Sequence, residues 1–177
     1  CFLSGNSAVG GTVNTEPYNS VTTHSYGGAL FNDGTLSIQK SSFSANGCTG
    51  AAGDSTSIAG VANQPGSGYG GAVYNARMLS VENSTFALNF AVGGLMVPTP
   101  SPDWRPRNAS LGSGGAIANA GNASLVHCTF ASNSGLSFPT NAFSANGLAV
   151  PEAGGSIAND GTVKLEKTIL AYSSSNN

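Results

Sequence analysis

Charge is the first thing this chain lacks. Only 8% of its 177 residues are charged, and the basic ones, Lys40, Arg77, Arg105, Arg107, Lys164 and Lys167, are scattered. So sparse a set cannot neutralise a run of phosphates, which excludes nucleic acid as a partner. Long-chain helix formers are scarce beside Gly, Ser, Asn and Thr, so few windows can carry the amphipathic stripe of a surface helix. No uncharged apolar run approaches the roughly twenty residues of a membrane span, and no basic-then-apolar start marks an export signal. The three cysteines, Cys1, Cys48 and Cys128, fall in no CxxC or CxxH spacing, so they suggest no zinc site. GxSxG, HExxH and a glycine-rich phosphate loop leading to a helix are missing as well.

What is present is repetition. GGALFNDGTLSIQKSSFSAN at 27–46, GGAVYNARMLSVENSTFALN at 70–89, GGAIANAGNASLVHCTFASN at 114–133 and GGSIANDGTVKLEKTILAYS at 154–173 align without a gap. The opening CFLSGN at 1–6 matches the end of a further copy, with Cys1, Leu3 and Asn6 in register with Cys128, Phe130 and Asn133. Inside each copy large apolar residues alternate with variable ones, the period of a strand with one buried face. Leu30, Val73, Ile117 and Ile157 share an inward position, whereas Phe31, Tyr74, Ala118 and Ala158 vary as outward residues do. A second strand carries Leu36 and Ile38 with their counterparts, and a third carries Phe43, Phe86, Phe130 and Leu170. Three short strands joined by turns predict one coil of a parallel β-helix, each strand pairing with its equivalent in the next coil. The expected fold is therefore an all-β solenoid of about four coils. Residues 1–177 are read as one segment of a longer chain that begins in mid-coil.

Two asparagine columns follow from this geometry. Asn32, Asn75, Asn119 and Asn159 stand two positions after the inward aliphatic, and Asn6, Asn46, Asn89 and Asn133 follow the third strand. A stacked amide bond contributes about 1 kcal/mol, whereas an unpaired buried amide costs roughly 1–3, so such a column must be complete. A plainer and compatible account is that turn asparagines tolerate left-handed backbone. Residues 7–26, 47–69, 90–113 and 134–153 are read as insertions of about twenty residues leaving one corner and stacking into a ridge. The third contains PTPSPDWRPR at 98–107, whose prolines favour extended backbone and whose Trp104, Arg105 and Arg107 form the candidate contact surface. Asn83, Asn108 and Asn122 head Asn-x-Ser/Thr sequons that accept glycans in a eukaryotic secretory pathway.

The pairing of GGAL, GGAV and GGAI at 27–30, 70–73 and 114–117 with FSAN, FALN and FASN at 43–46, 86–89 and 130–133 resembles the repeat of the polymorphic outer membrane proteins. The fourth copy departs from it, with GGSI and LAYS. The resemblance implies a right-handed parallel β-helix in a secreted or cell-surface region that acts in adhesion or surface architecture.

An enzyme is the competing expectation, because parallel β-helices often carry polysaccharide-degrading sites built from paired carboxylates or calcium. Here Asp33 and Asp160 share a repeat position, and three coil steps of about 4.8 Å put roughly 14 Å between them. That exceeds either glycosidase spacing. His24 falls in an insertion and His127 at an outward position. A flat threonine array for crystal-surface binding is interrupted, since Thr35 and Thr162 do not recur at Arg77 or Asn122. The expectation is a non-enzymatic structural or adhesive extracellular protein without cofactor or metal, contacting itself end to end, other surface proteins or glycans. A carbohydrate-binding or polysaccharide-degrading β-helix is the alternative.

Overall fold

The computed structural model describes residues 1–11, 23–53, 65–95, 110–138 and 154–175. Among them there is no helix, and short strands recur at the same places in every copy. In the copy beginning at Gly27 they are Leu30–Asn32, Thr35–Gln39, Ser42–Ser44 and Gly47–Thr49, with Ser25–Tyr26 just ahead. Every strand pairs in parallel with its counterpart in the neighbouring copy. Leu30 lies opposite Val73, Val73 opposite Ile117, and Ile117 opposite Ile157. Stacking in this register gives sheets of five, four, five, three and four strands among the described residues, consistent with a parallel β-helix or solenoid.

The expected three strands per copy fall short of what is there. Ser7–Val9, Gly47–Thr49, Phe90–Val92, Ser134–Leu136 and Ser174–Ser175 form a further column after the phenylalanine strands. Ser25–Tyr26, Gly68–Tyr69 and Gly112–Ser113 form another ahead of the glycine pair. Both columns lie within segments read from the sequence as insertions, so the paired part of each copy reaches further at both ends than expected. Close backbone approach explains why no apolar alternation marked them. A side chain at Gly112 would collide with the carbonyls of Ala91 and Leu136 from the facing column, so only small residues fit there. Register also corrects the threonine comparison: Met78, not Arg77, stands opposite both Thr35 and Asn122. The array is still broken.

Two of the corners turn on one residue in the left-handed region. After the five-residue strands these are Lys40, Asn83, His127 and Lys167, with φ between 46° and 53°. After the phenylalanine strands they are Gly5, Ala45, Leu88, Ser132 and Tyr172. The asparagines of both columns lie outside this set, so left-handed tolerance does not account for their placement; the side-chain bonds described below do. Glycine is required at the GG pair. The first member takes φ of 62° to 71° at Gly27, Gly70 and Gly114. The second cannot carry a side chain, since a Cβ on Gly71 would strike the carbonyls of Gly115 and Phe90.

The interior is a stack of like on like. Phe43, Phe86 and Phe130 are fully buried, with ring centroids 4.7 and 4.8 Å apart and planes within 5°. Val73, Ile117, Val81 and Leu125 line the other walls of the same core, with Leu3 and Ile157 packed against it. Large truncations in such a core cost about 3–5 kcal/mol for phenylalanine.

Candidate functional site

Most polar side chains inside the stack are occupied with one another. Asn32 Nδ2 donates to Asn75 Oδ1 at 2.6 Å, Asn75 to Asn119 at 2.6 Å and Asn119 to Asn159 at 2.7 Å. The second column is tied twice at each step. Both the backbone N–H and Nδ2 of Asn46 donate to Asn89 Oδ1, at 3.0 and 2.9 Å, and Asn89 repeats the pattern on Asn133. A third column, Ser41, Ser84, Cys128 and Thr168, was not anticipated beyond the shared position of Cys1 and Cys128. Ser84 Oγ donates to the Glu82 carbonyl at 2.9 Å and accepts the Ser41 N–H at 3.1 Å, bracing the left-handed corner from inside. Cys128 takes the hydroxyl's place, its Sγ donating to the Val126 carbonyl at 3.3 Å. All three cysteines are free, and burial pushes the Cys48 and Cys128 thiols up from their ordinary range.

The outer surface is less uniform. Tyr26, Tyr69 and Ser113 face one another across one small-residue column, and Phe31, Tyr74, Ala118 and Ala158 across the next. Both runs are aromatic in the first two copies and small afterwards. Tyr26 stacks on Tyr69 at 5.3 Å and Phe31 on Tyr74 at 5.4 Å, while Tyr26 meets Tyr74 edge-on at 4.7 Å. Pairs of this kind contribute about 0.5–1.5 kcal/mol each beyond buried area. His24 closes the cluster, its ring edge-on to Tyr69 at 5.8 Å and its Nδ1 accepting the Ser67 N–H at 2.9 Å. The aromatics thus form a wall that stops abruptly. Beyond it lies a recess of about 230 Å³, lined by Tyr26, Tyr69 and Tyr74 on one side, by Ser113, Ala118 and Ala158, and by Asp160. Burial first, then the neighbouring Tyr69 and Asp160, raises the Tyr74 phenol above its ordinary range; burial with Tyr69 and Tyr74 does the same to Tyr26. Both hydroxyls are therefore protonated donors at neutral pH. The change from Phe31 and Tyr74 to Ala118 and Ala158 was visible in the alignment, but the matching change from Tyr69 to Ser113 lay in a strand the sequence did not disclose.

Other residues singled out from the sequence do not converge. Trp104, Arg105, Arg107 and Asn108 lie outside the described residues. Asn83 and Asn122 are exposed on different corners, and Asn83 Nδ2 donates to Glu82 at 3.1 Å. Asp33 accepts from Arg77 Nε at 3.0 Å, an exposed pair of little energetic weight. Among the described residues no three His, Cys, Asp or Glu side chains gather as metal ligands, and no helix is long and apolar enough to cross a membrane.

Comparison with family models, with curated proteins and with solved structures yields no match. The fold and its surface are thus the grounds for assigning a role.

Proposed function

We propose that this chain is a structural or adhesive element of an extracellular surface, a right-handed β-helical stalk of about four coils that makes its contacts outside the packed shaft. What carries this reading is the commitment of the interior to columns. The asparagine amides bond along the axis and the phenylalanines stack along it, an arrangement that serves shape and reach. The resemblance of the GGA and FxxN pattern to surface repeat proteins points the same way. Recognition then belongs to the segments between copies, since loops carried by a rigid scaffold are the usual seat of binding.

The test is replacement of residues 98–107 by a Gly/Ser linker, with thermal unfolding, sedimentation and adhesion of protein-coated beads to cells as readouts. The expected result is unchanged unfolding with weakened self-association or adhesion. Contacts that survive the replacement but fail on His127→Ala would move the interface to the shaft face and overturn the assignment.

A further inference from the structure

We infer that the recess beside Tyr74 is a binding site for one pyranose ring of a neutral glycan. This does not depend on the stalk assignment, which concerns the segments between copies.

The geometry starts from an interrupted stack. Phe31 covers one face of Tyr74 at 5.4 Å, and in the next two copies the same outward position holds Ala118 and Ala158. With strands about 4.8 Å apart, two alanine positions leave about 10 Å along the axis beside the other face of Tyr74. A single six-membered ring laid there continues the aromatic column where the chain's own rings end. The volume agrees: 230 Å³ falls below the roughly 300–1,000 Å³ of sites that enclose drug-sized molecules, and suits one ring.

The lining chemistry selects the kind of ring. A pyranose has an apolar C–H face and a perimeter of hydroxyls. Tyr74 meets the face; the phenols of Tyr26 and Tyr69, the Ser113 hydroxyl and the Asp160 carboxylate supply donors and acceptors around the edge. Among the described residues no basic side chain lines the recess, so a sulfated or carboxylated sugar finds no counter-charge there beside Asp160. A quaternary ammonium ion needs several ring faces converging on it. Here Tyr26 and Tyr69 spend faces on each other, as do Phe31 and Tyr74. A flat aromatic ligand would strand the hydroxyl and carboxylate edge unpaired.

One ring with a polar rim and an open outer side binds with a dissociation constant on the order of millimolar. Saturation-transfer NMR on the whole chain, titrating the methyl glycosides of glucose, galactose, mannose and N-acetylglucosamine to about 50 mM, measures it directly. The expected result is saturation by at least one glycoside. Ala118→Tyr, which places in the recess the side chain found one copy earlier, should weaken that glycoside at least tenfold. Asp160→Asn, at an exposed position that does not threaten folding, should weaken it several-fold. Far-UV circular dichroism checks that both variants fold, and Asp160→Asn decides the matter if Ala118→Tyr does not. Absence of saturation by any glycoside, glycoside binding unchanged in the folded variants, or choline binding more tightly than every glycoside would each overturn the assignment.

Discussion

Asn89 offers the sharpest test of what holds the stack together. Its side chain is fully buried and makes four bonds. Oδ1 accepts the Asn46 N–H and Nδ2 at 3.0 and 2.9 Å; Nδ2 donates to Asn133 Oδ1 at 2.9 Å and to the Phe43 carbonyl at 3.1 Å. Asn89→Ala removes all four and leaves the Asn46 N–H without its acceptor. One orphaned buried donor at about 1–3 kcal/mol and three further bonds at about 1 kcal/mol each give a loss of about 4–6 kcal/mol. That is a large share of the roughly 5–15 kcal/mol that keeps a domain folded. Asn89→Asp is more revealing because it keeps the shape. The carboxylate accepts both Asn46 donors but cannot donate to Asn133 Oδ1 or the Phe43 carbonyl, so oxygens confront each other in a buried site. Protonation restores one donor, and the introduced carboxyl therefore has a folded-state pKa raised above its unfolded value near 4. Its contribution is fully present below about pH 4 and is lost as pH rises through the folded value. Urea titrations followed by circular dichroism at about pH 4 and pH 7 should find Asn89→Asp closer to wild type in acid. A loss under about 1 kcal/mol for Asn89→Ala, or a pH-independent deficit for Asn89→Asp, would refute the ladder as a source of stability.

Three further measurements bear on the packing. Phe86→Ala opens the middle of the ring stack and should cost about 3–5 kcal/mol in the same titration, against under about 0.5 for the outward Glu82→Ala; equal losses would contradict the inside–outside assignment. Leu88 is exposed with φ of 58°, so Leu88→Gly should leave stability unchanged or raise it by up to about 1 kcal/mol, while Ala87→Gly in the adjoining strand should lower it by about 0.5–1. Thiol labelling near pH 8 should enter Cys1 and spare Cys48 and Cys128 until denaturant is added, because burial keeps those two protonated and covered; prompt modification of either would show that the stack opens.

What could be read from the sequence was whatever repeats with a large side chain. Phe43, Phe86 and Phe130 announce their column because a buried ring demands another above it, and the asparagines because an amide demands a partner. Strands whose facing positions are Cys48, Ala91, Ser25 and Gly68 send no such signal, since a Cβ on Gly68 would already strike the carbonyls of Val92 and Cys48. The serine column was hidden by its chemistry: a buried hydroxyl that braces a corner looks in sequence like any turn serine. The aromatic wall escaped notice for a different reason, being a departure from the repeat. Tyr69 and Tyr74 matter because Ser113 and Ala118 fail to follow them.

The direction of the amide ladders has a mechanical consequence. Every ladder and sheet bond joins one copy to the next, so tension along the axis passes through the copies in series, and the weakest junction yields first. Equivalent asparagines are 40, 43 and 44 residues apart, so each junction that yields frees about 130–160 Å of extended chain. A sideways load is instead shared among all the strands of a copy. Pulled from its ends, such a body lengthens in discrete steps that dissipate force; pushed from the side, it stays stiff.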